Sequence, residues 1–198
     1  MTKDWYEIVD ADCELTQGDL IPGCPILTWK TELPQLNNLQ SETEVLKASV
    51  EAIQADVIVM TQACDLENYK VENVILCPHF SLSEYKQGWE EVMSGKNQNP
   101  SAKAWRRHCD DIKDGYIWNL SMLNYFNSEI LSVEHRVVEF HEVYTIPRYF
   151  LESLLQQRGE SRLRLLPPYR EHLSQAFARF FMRVGLPIGV DEKAWRDQ

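Results

Sequence analysis

The stretch Ala55-Asp56-Val57-Ile58-Val59-Met60-Thr61, answered by Asn73-Val74-Ile75-Leu76-Cys77-Pro78, decides the fold. The first run is β-branched and apolar at successive positions, so both of its faces need cover, as in a strand at the centre of a sheet. The second is apolar as well and stops at a proline. Between them Asp65-Leu66-Glu67-Asn68-Tyr69-Lys70 supplies a polar turn, and the pair reads as an antiparallel hairpin. A one-residue slip would move every side chain to the opposite face, so register follows burial. Matching the apolar runs sets Val57 opposite Pro78 and Cys64 opposite Val71. Cys77 then lies six residues further along, about 20 Å at about 3.3 Å per residue.

Upstream, Gly18-Asp19-Leu20 is a polar turn into Ile21–Trp29, a strand interrupted by Pro22 and Pro25, which is expected at a sheet edge or broken. Residues 33–49, rich in Asn, Gln, Ser and Glu, read as a loop or short excursion. Downstream, Ser81 or Ser83 caps a helix over Glu84–Met93 that Gly95 stops, and a second helix runs through Ala104, Trp105, His108 and Ile112 to Gly115. Tyr116–Leu120 is read as a strand, and Arg136–Pro147 as another that ends at its proline. Helices are expected over Arg148–Gln157 and Tyr169–Val184; in the second, Leu173, Ala176, Phe177, Phe180 and Val184 form one apolar face, with Ser174, Arg179 and Arg183 lying off it. The fold class is therefore α+β in a single domain over residues 1–198. Its antiparallel core covers about 5–80 and 116–147, a two-helix insertion about 81–115, and a helical C-terminal extension about 148–198.

Composition sets limits. With 198 residues, 44% of them hydrophobic, the chain can bury one sizeable core without disulfide or metal support. Five cysteines, an odd number without CxxC spacing, suit a reducing compartment, and no apolar run approaches the ~20 residues a bilayer demands, so a cytoplasmic protein without a membrane partner is expected. A formal charge of −10 argues against generic DNA binding, which runs on basic surface. From Gln157 to Arg183, however, six arginines stand against two glutamates. Arg162, Arg164, Arg170, Arg179 and Arg183 are thus candidates for meeting a partner, or for covering the protein's own acidic surface.

The strands resemble those of the PemK/MazF toxin group, small SH3-like barrels. The Gly18-Asp19-Leu20 turn, the buried Val57–Thr61 strand, the return Val74–Pro78 and the late Val137–Leu154 strand and helix carry the resemblance, which spans about half the chain. It implies a small, partly open antiparallel SH3-like barrel, and RNA as a possible ligand. Those toxins cut RNA with an Arg before the buried strand and a Ser or Thr after the returning one. Ala55-Asp56 and His79-Phe80-Ser81 stand there instead, so the barrel carries over and the nuclease does not. The tail from Pro168 to Pro187 also resembles that of uncharacterised bacterial proteins.

Three chemistries compete at the hairpin. Gln62-Ala63-Cys64 is similar to the nucleophile segment of caspase-like proteases, but that pattern needs a following Gly and a His roughly 50 residues upstream, and the first histidine here is His79. A zinc site of Cys64, Cys77 and His79, completed by Cys13 or Cys24, has suitable donors, but they must converge to about 2.0–2.3 Å from the ion, which the register opposes. The same separation opposes a Cys64/His79 nucleophile–base pair. The polar loop Thr61, Gln62, Cys64 and Asp65 remains a candidate site. His135 and His141 share a face by parity with Glu139, and His108 heads a run of ionisable residues on the second insertion helix. Together these features point to a non-catalytic interaction module with an aromatic helical surface and an arginine-bearing tail. An RNA-binding or RNA-processing protein and a zinc-binding adaptor or enzyme are the alternatives; otherwise no cofactor is expected.

Overall fold

A computed structural model describes residues 4–32 and 41–182. In chain order the elements are β1 (Tyr6–Val9), β2 (Leu20–Trp29), α1 (Glu42–Ser49), β3 (Val50–Val59), α2 (Ala63–Glu67), β4 (Asn73–Ser81), α3 (Leu82–Gly95), α4 (Ala102–Lys113), β5 (Leu120–Leu123), β6 (Phe126–Asn127), β7 (Ser132–Val133), β8 (Arg136–Glu139), β9 (Tyr144–Pro147), α5 (Arg148–Arg158), β10 (Arg162–Leu165) and α6 (Tyr169–Phe181). The hairpin pairs in the expected register, with Val57 opposite Pro78 and Ile58 opposite Cys77. Its polar turn is wound into the short helix α2, which buries Leu66. The end of β3, Val57–Val59, is covered on both faces. Val57 and Val59 pack with Ile146, Leu151 and Leu155, while Ile58 and Met60 pack with Phe140, Leu165 and Leu173. Each such side chain contributes roughly 1.5–3 kcal/mol by leaving water, so this alternation accounts for the choice of register.

The main sheet runs β2-β3-β4-β8-β5, with β9 also paired to β4, and is not closed into a barrel. The strand β4 changes neighbours along its length: Asn73–Leu76 pair with β9 and His79–Ser81 with β8. Pro78, which has no N–H to give, falls in the gap between those ladders. The expected strand Arg136–Pro147 is accordingly two strands, broken at Phe140–Val143, where Phe140 turns into the core. The strand β2 is both an edge and irregular, its register shifting between Ile21 and Cys24 around Pro22 and Gly23. Asp56 fills the shift by accepting from Gly23 N at 2.9 Å. Residues 42–49, expected as loop, form α1, which Ser41 caps. The strand read at Tyr116–Leu120 begins instead at Leu120.

The insertion is helical as expected, and Ser81 forms a full capping box with Glu84. Its two helices meet through Tyr85, Trp89, Trp105 and His108, and the Tyr85 hydroxyl lies 3.0 Å from His108 Nε2. A second small sheet, β1 with β10, joins residues from the two ends of the described chain. Asp19 ties it to the main sheet by bridging to Arg164. Gly18 makes that junction possible. Its φ is +87°, and a Cβ there would stand 3.0 Å from Leu165 Cβ. Its N–H donates to Val59 O at 2.9 Å, and its carbonyl accepts from Leu165 N at 3.0 Å. Among the described residues no helix is long and apolar enough to cross a membrane.

Candidate functional site

The helix α6 lays Leu173 into the core, packs Ala176, Phe177 and Phe180 against it, and borders two hollows. The larger is a groove of about 610 Å³ between α6 and β5. His172, Leu173, Gln175, Ala176 and Arg179 form one wall, Leu120–Leu123 the other, and the end of α4 and His135 extend it. Trp5 and Tyr169, stacked with ring centroids 4.0 Å apart, line it too. The strand β5 is the last in its sheet, so one of its edges faces away from β8. Arg179 is exposed, with its guanidinium 5.3 Å over the Trp118 ring and no carboxylate partner among the described residues.

The second hollow, about 380 Å³, brings the candidate loop to the arginine segment. Gln62, Ala63 and Cys64 face Arg170, Glu171, Ser174 and Ala178 of α6, with Gln17 between them. The loop is held from beneath. Thr61 Oγ1 accepts from Ile75 N at 2.7 Å, and Asn68 Nδ2 donates to the Cys64 carbonyl at 2.6 Å. Thr61 is therefore a structural anchor, while Cys64 is exposed, its thiol 3.8 Å from both Gln62 Oε1 and Asp65 Oδ1. Arg170 donates to Glu171 through Nε and Nη2.

The arginines read from the sequence as one basic segment are divided by the fold. Arg162 is buried, and its guanidinium donates to Asp19 Oδ2 at 2.8 Å and to the carbonyls of Asp10, Cys13 and Glu14. Arg164 donates to Asp19 Oδ1 at 2.6 Å. These two cover the protein's own buried carboxylate, because β10 alternates them with Leu163 and Leu165 against β1. Arg170 and Arg179 remain at the surface hollows. Arg183 lies outside the described residues.

Cys64, Cys77 and His79 do not converge, and among the described residues no three His, Cys, Asp or Glu side chains are grouped to hold a metal ion. Cys77 is buried in β4, and burial pushes its thiol up to about 12. His79 belongs to a different network. Its Nδ1 accepts from Arg136 Nε at 3.1 Å, and Arg136 pairs with Asp56. That bond places the ring proton on Nε2, which has no hydrogen-bond partner of good geometry, although the Val57 carbonyl faces the ring. Burial first, and the Arg136 charge second, push the imidazole down to about 4, so it is neutral near pH 7. Asp56, His79 and Glu84 line a separate cleft of about 480 Å³. The parity argument for His135 and His141 fails because β8 ends at Glu139, yet His141 Nδ1 still lies 3.5 Å from Glu139 Oε1.

Gln17, His172 and Gln175 escaped the sequence reading. Gln17 directly precedes the Gly18-Asp19 turn, and His172 and Gln175 flank Leu173 on α6, so adjacency to a strong element was the available signal. No family model matches the chain, and no curated protein matches it in sequence.

Proposed function

We propose that this protein is a non-catalytic interaction module that receives an extended segment of a protein partner in the groove between α6 and β5. One observation carries the reading: a hollow of about 610 Å³ lies between an amphipathic helix and the last strand of a sheet. An extended segment laid on a strand edge gains main-chain hydrogen bonds, and alternate side chains reach the apolar floor at Leu120 and Ala176. Arg179, stacked on Trp118 and without a carboxylate partner among the described residues, supplies the charged contact, which suits an acidic partner residue. Among the described residues no histidine stands beside Cys64, and His79 lines another cleft, which fits a binding role for the loop.

The main sheet is read as an opened SH3-like arrangement, which makes RNA the rival ligand. A pull-down from lysate of the native host, with and without ribonuclease, tests the proposal. A protein captured by the wild type, retained after ribonuclease and lost with Gln175→Trp and with Arg179→Glu supports it. Both residues are exposed, so unchanged melting curves accompany that loss. Capture that vanishes on ribonuclease treatment, or that survives both substitutions, refutes it.

A further inference from the structure

The hollow beside Cys64 carries a hydrogen-bonding pattern that the groove does not use. Gln17 is only 7% exposed. Its Nε2 donates to the Met60 carbonyl at 2.9 Å and to the Ser174 hydroxyl at 3.4 Å. The Met60 carbonyl decides which end of the amide is nitrogen, since turning it over would set two acceptors face to face. With both N–H bonds engaged, Gln17 Oε1 has no partner among the described residues. Among the described residues the fully enclosed side-chain atom without a partner is His79 Nε2, so Gln17 Oε1 is open to the hollow that Gln17 lines. Ser174 accepts from Gln17 and keeps its own O–H to give. A fixed acceptor thus stands beside a free donor.

That pair matches a group presenting N–H and C=O side by side. A carboxylate fits poorly, because it would face Gln17 Oε1 while Glu171 engages the Arg170 guanidinium at 2.9 Å. A cation would meet that same guanidinium. We infer that the hollow formed by Gln17, Gln62, Cys64 and Ser174 binds a neutral primary carboxamide, whose N–H donates to Gln17 Oε1 and whose oxygen accepts from Ser174 Oγ–H. The carboxamide belongs either to an Asn or Gln side chain of a peptide or to a free small molecule.

Cys64 shares the hollow and reports its occupancy. In a Cys13→Ser background, modification of Cys64 by methyl methanethiosulfonate is followed by peptide-resolved mass spectrometry. The probes are nicotinamide against nicotinate, and the peptides Ser-Gln-Ser against Ser-Glu-Ser. Protection by at least one amide and by neither acid is expected, and the more protective amide identifies the source. Because Gln17 is buried, the group to remove is the hydroxyl: Ser174→Ala weakens protection by about 3- to 10-fold, the equivalent of one neutral hydrogen bond. Equal protection by an amide and its acid, no protection by either amide up to solubility, or protection indifferent to Ser174→Ala overturns the inference. The groove variant Arg179→Glu lies outside this hollow, so loss of partner capture with unchanged Cys64 protection, or the reverse, lets the two proposals fail separately.

Discussion

Asp19→Ala removes the carboxylate on which the junction between the two sheets rests. In the native protein Asp19 is fully buried, and it accepts from Arg162 Nε at 2.8 Å, from Arg164 Nε at 2.6 Å and from Thr16 N at 3.2 Å. Its loss leaves the Arg162 side chain, 2% exposed, as a buried cation without a counter-charge. Breaking one side of a buried pair costs about 3–5 kcal/mol. Two features soften the loss: Arg162 keeps three backbone carbonyls, and Arg164, 16% exposed, turns to water. The expected cost is therefore about 3–4 kcal/mol, or about 6–16 °C in melting temperature for a chain of this size. That is a large share of the roughly 5–15 kcal/mol that holds a domain together. Urea unfolding followed by circular dichroism and tryptophan fluorescence measures it. The paired replacement Asp19→Leu with Arg162→Met, which removes both charges, should recover most of the loss. An Asp19→Ala cost below about 1 kcal/mol, or a double variant less stable than the single one, would refute the account of this junction.

Four further outcomes are expected. His79 titrates lower in the folded chain, at about 4, than in the unfolded one, so the unfolded state takes up the extra proton and stability falls as pH drops from about 6.5 toward 4; by about pH 5 the loss is about 2 kcal/mol, and His79→Gln flattens that part of the stability curve. Gly18→Ala combines a φ of +87° with a 3.0 Å approach to Leu165 Cβ and should cost at least about 2 kcal/mol by the same urea assay. Thiol labelling should modify Cys13 and Cys64 rapidly and leave Cys77 intact until the protein unfolds, because Cys77 is buried and its thiol is pushed up to about 12. Elemental analysis of protein purified without added zinc should find less than one zinc per chain, since Cys64, Cys77 and His79 do not converge; a stoichiometric ion would contradict the arrangement of β4 and α2.

The hairpin was legible because its signal is local and doubled: two apolar runs and one register that buries both. The start of α3 was legible to within a choice of Ser81 or Ser83 for the same reason, and the structure shows Ser81 as the cap, in a box with Glu84. The junction was not. Tyr6–Val9 and Arg162–Leu165 are four-residue strands far apart in sequence, and alternation over so short a span is indistinguishable from an irregular segment. The roles of Arg162 and Arg164 went with it, since only the pairing of β1 with β10 brings Asp19 beneath them. The break at Phe140–Val143 was hidden because Arg136–Pro147 keeps strand-like composition throughout; the cause is the change of partner along β4 around Pro78. Of the candidate site, the loop at Cys64 was visible as polar residues after a buried strand. Its opposing wall was not, because the meeting of Arg170 and Ser174 with Gln17 depends on how α6 docks.

The most direct measurement is photo-crosslinking from benzoylphenylalanine placed at Gln175, on the groove wall, compared with the same group at Lys103 on the exposed face of α4. The account predicts a protein adduct from position 175 that is absent from position 103, insensitive to ribonuclease and abolished by Arg179→Glu. Adducts to RNA, or the same proteins captured equally from both positions, would contradict it.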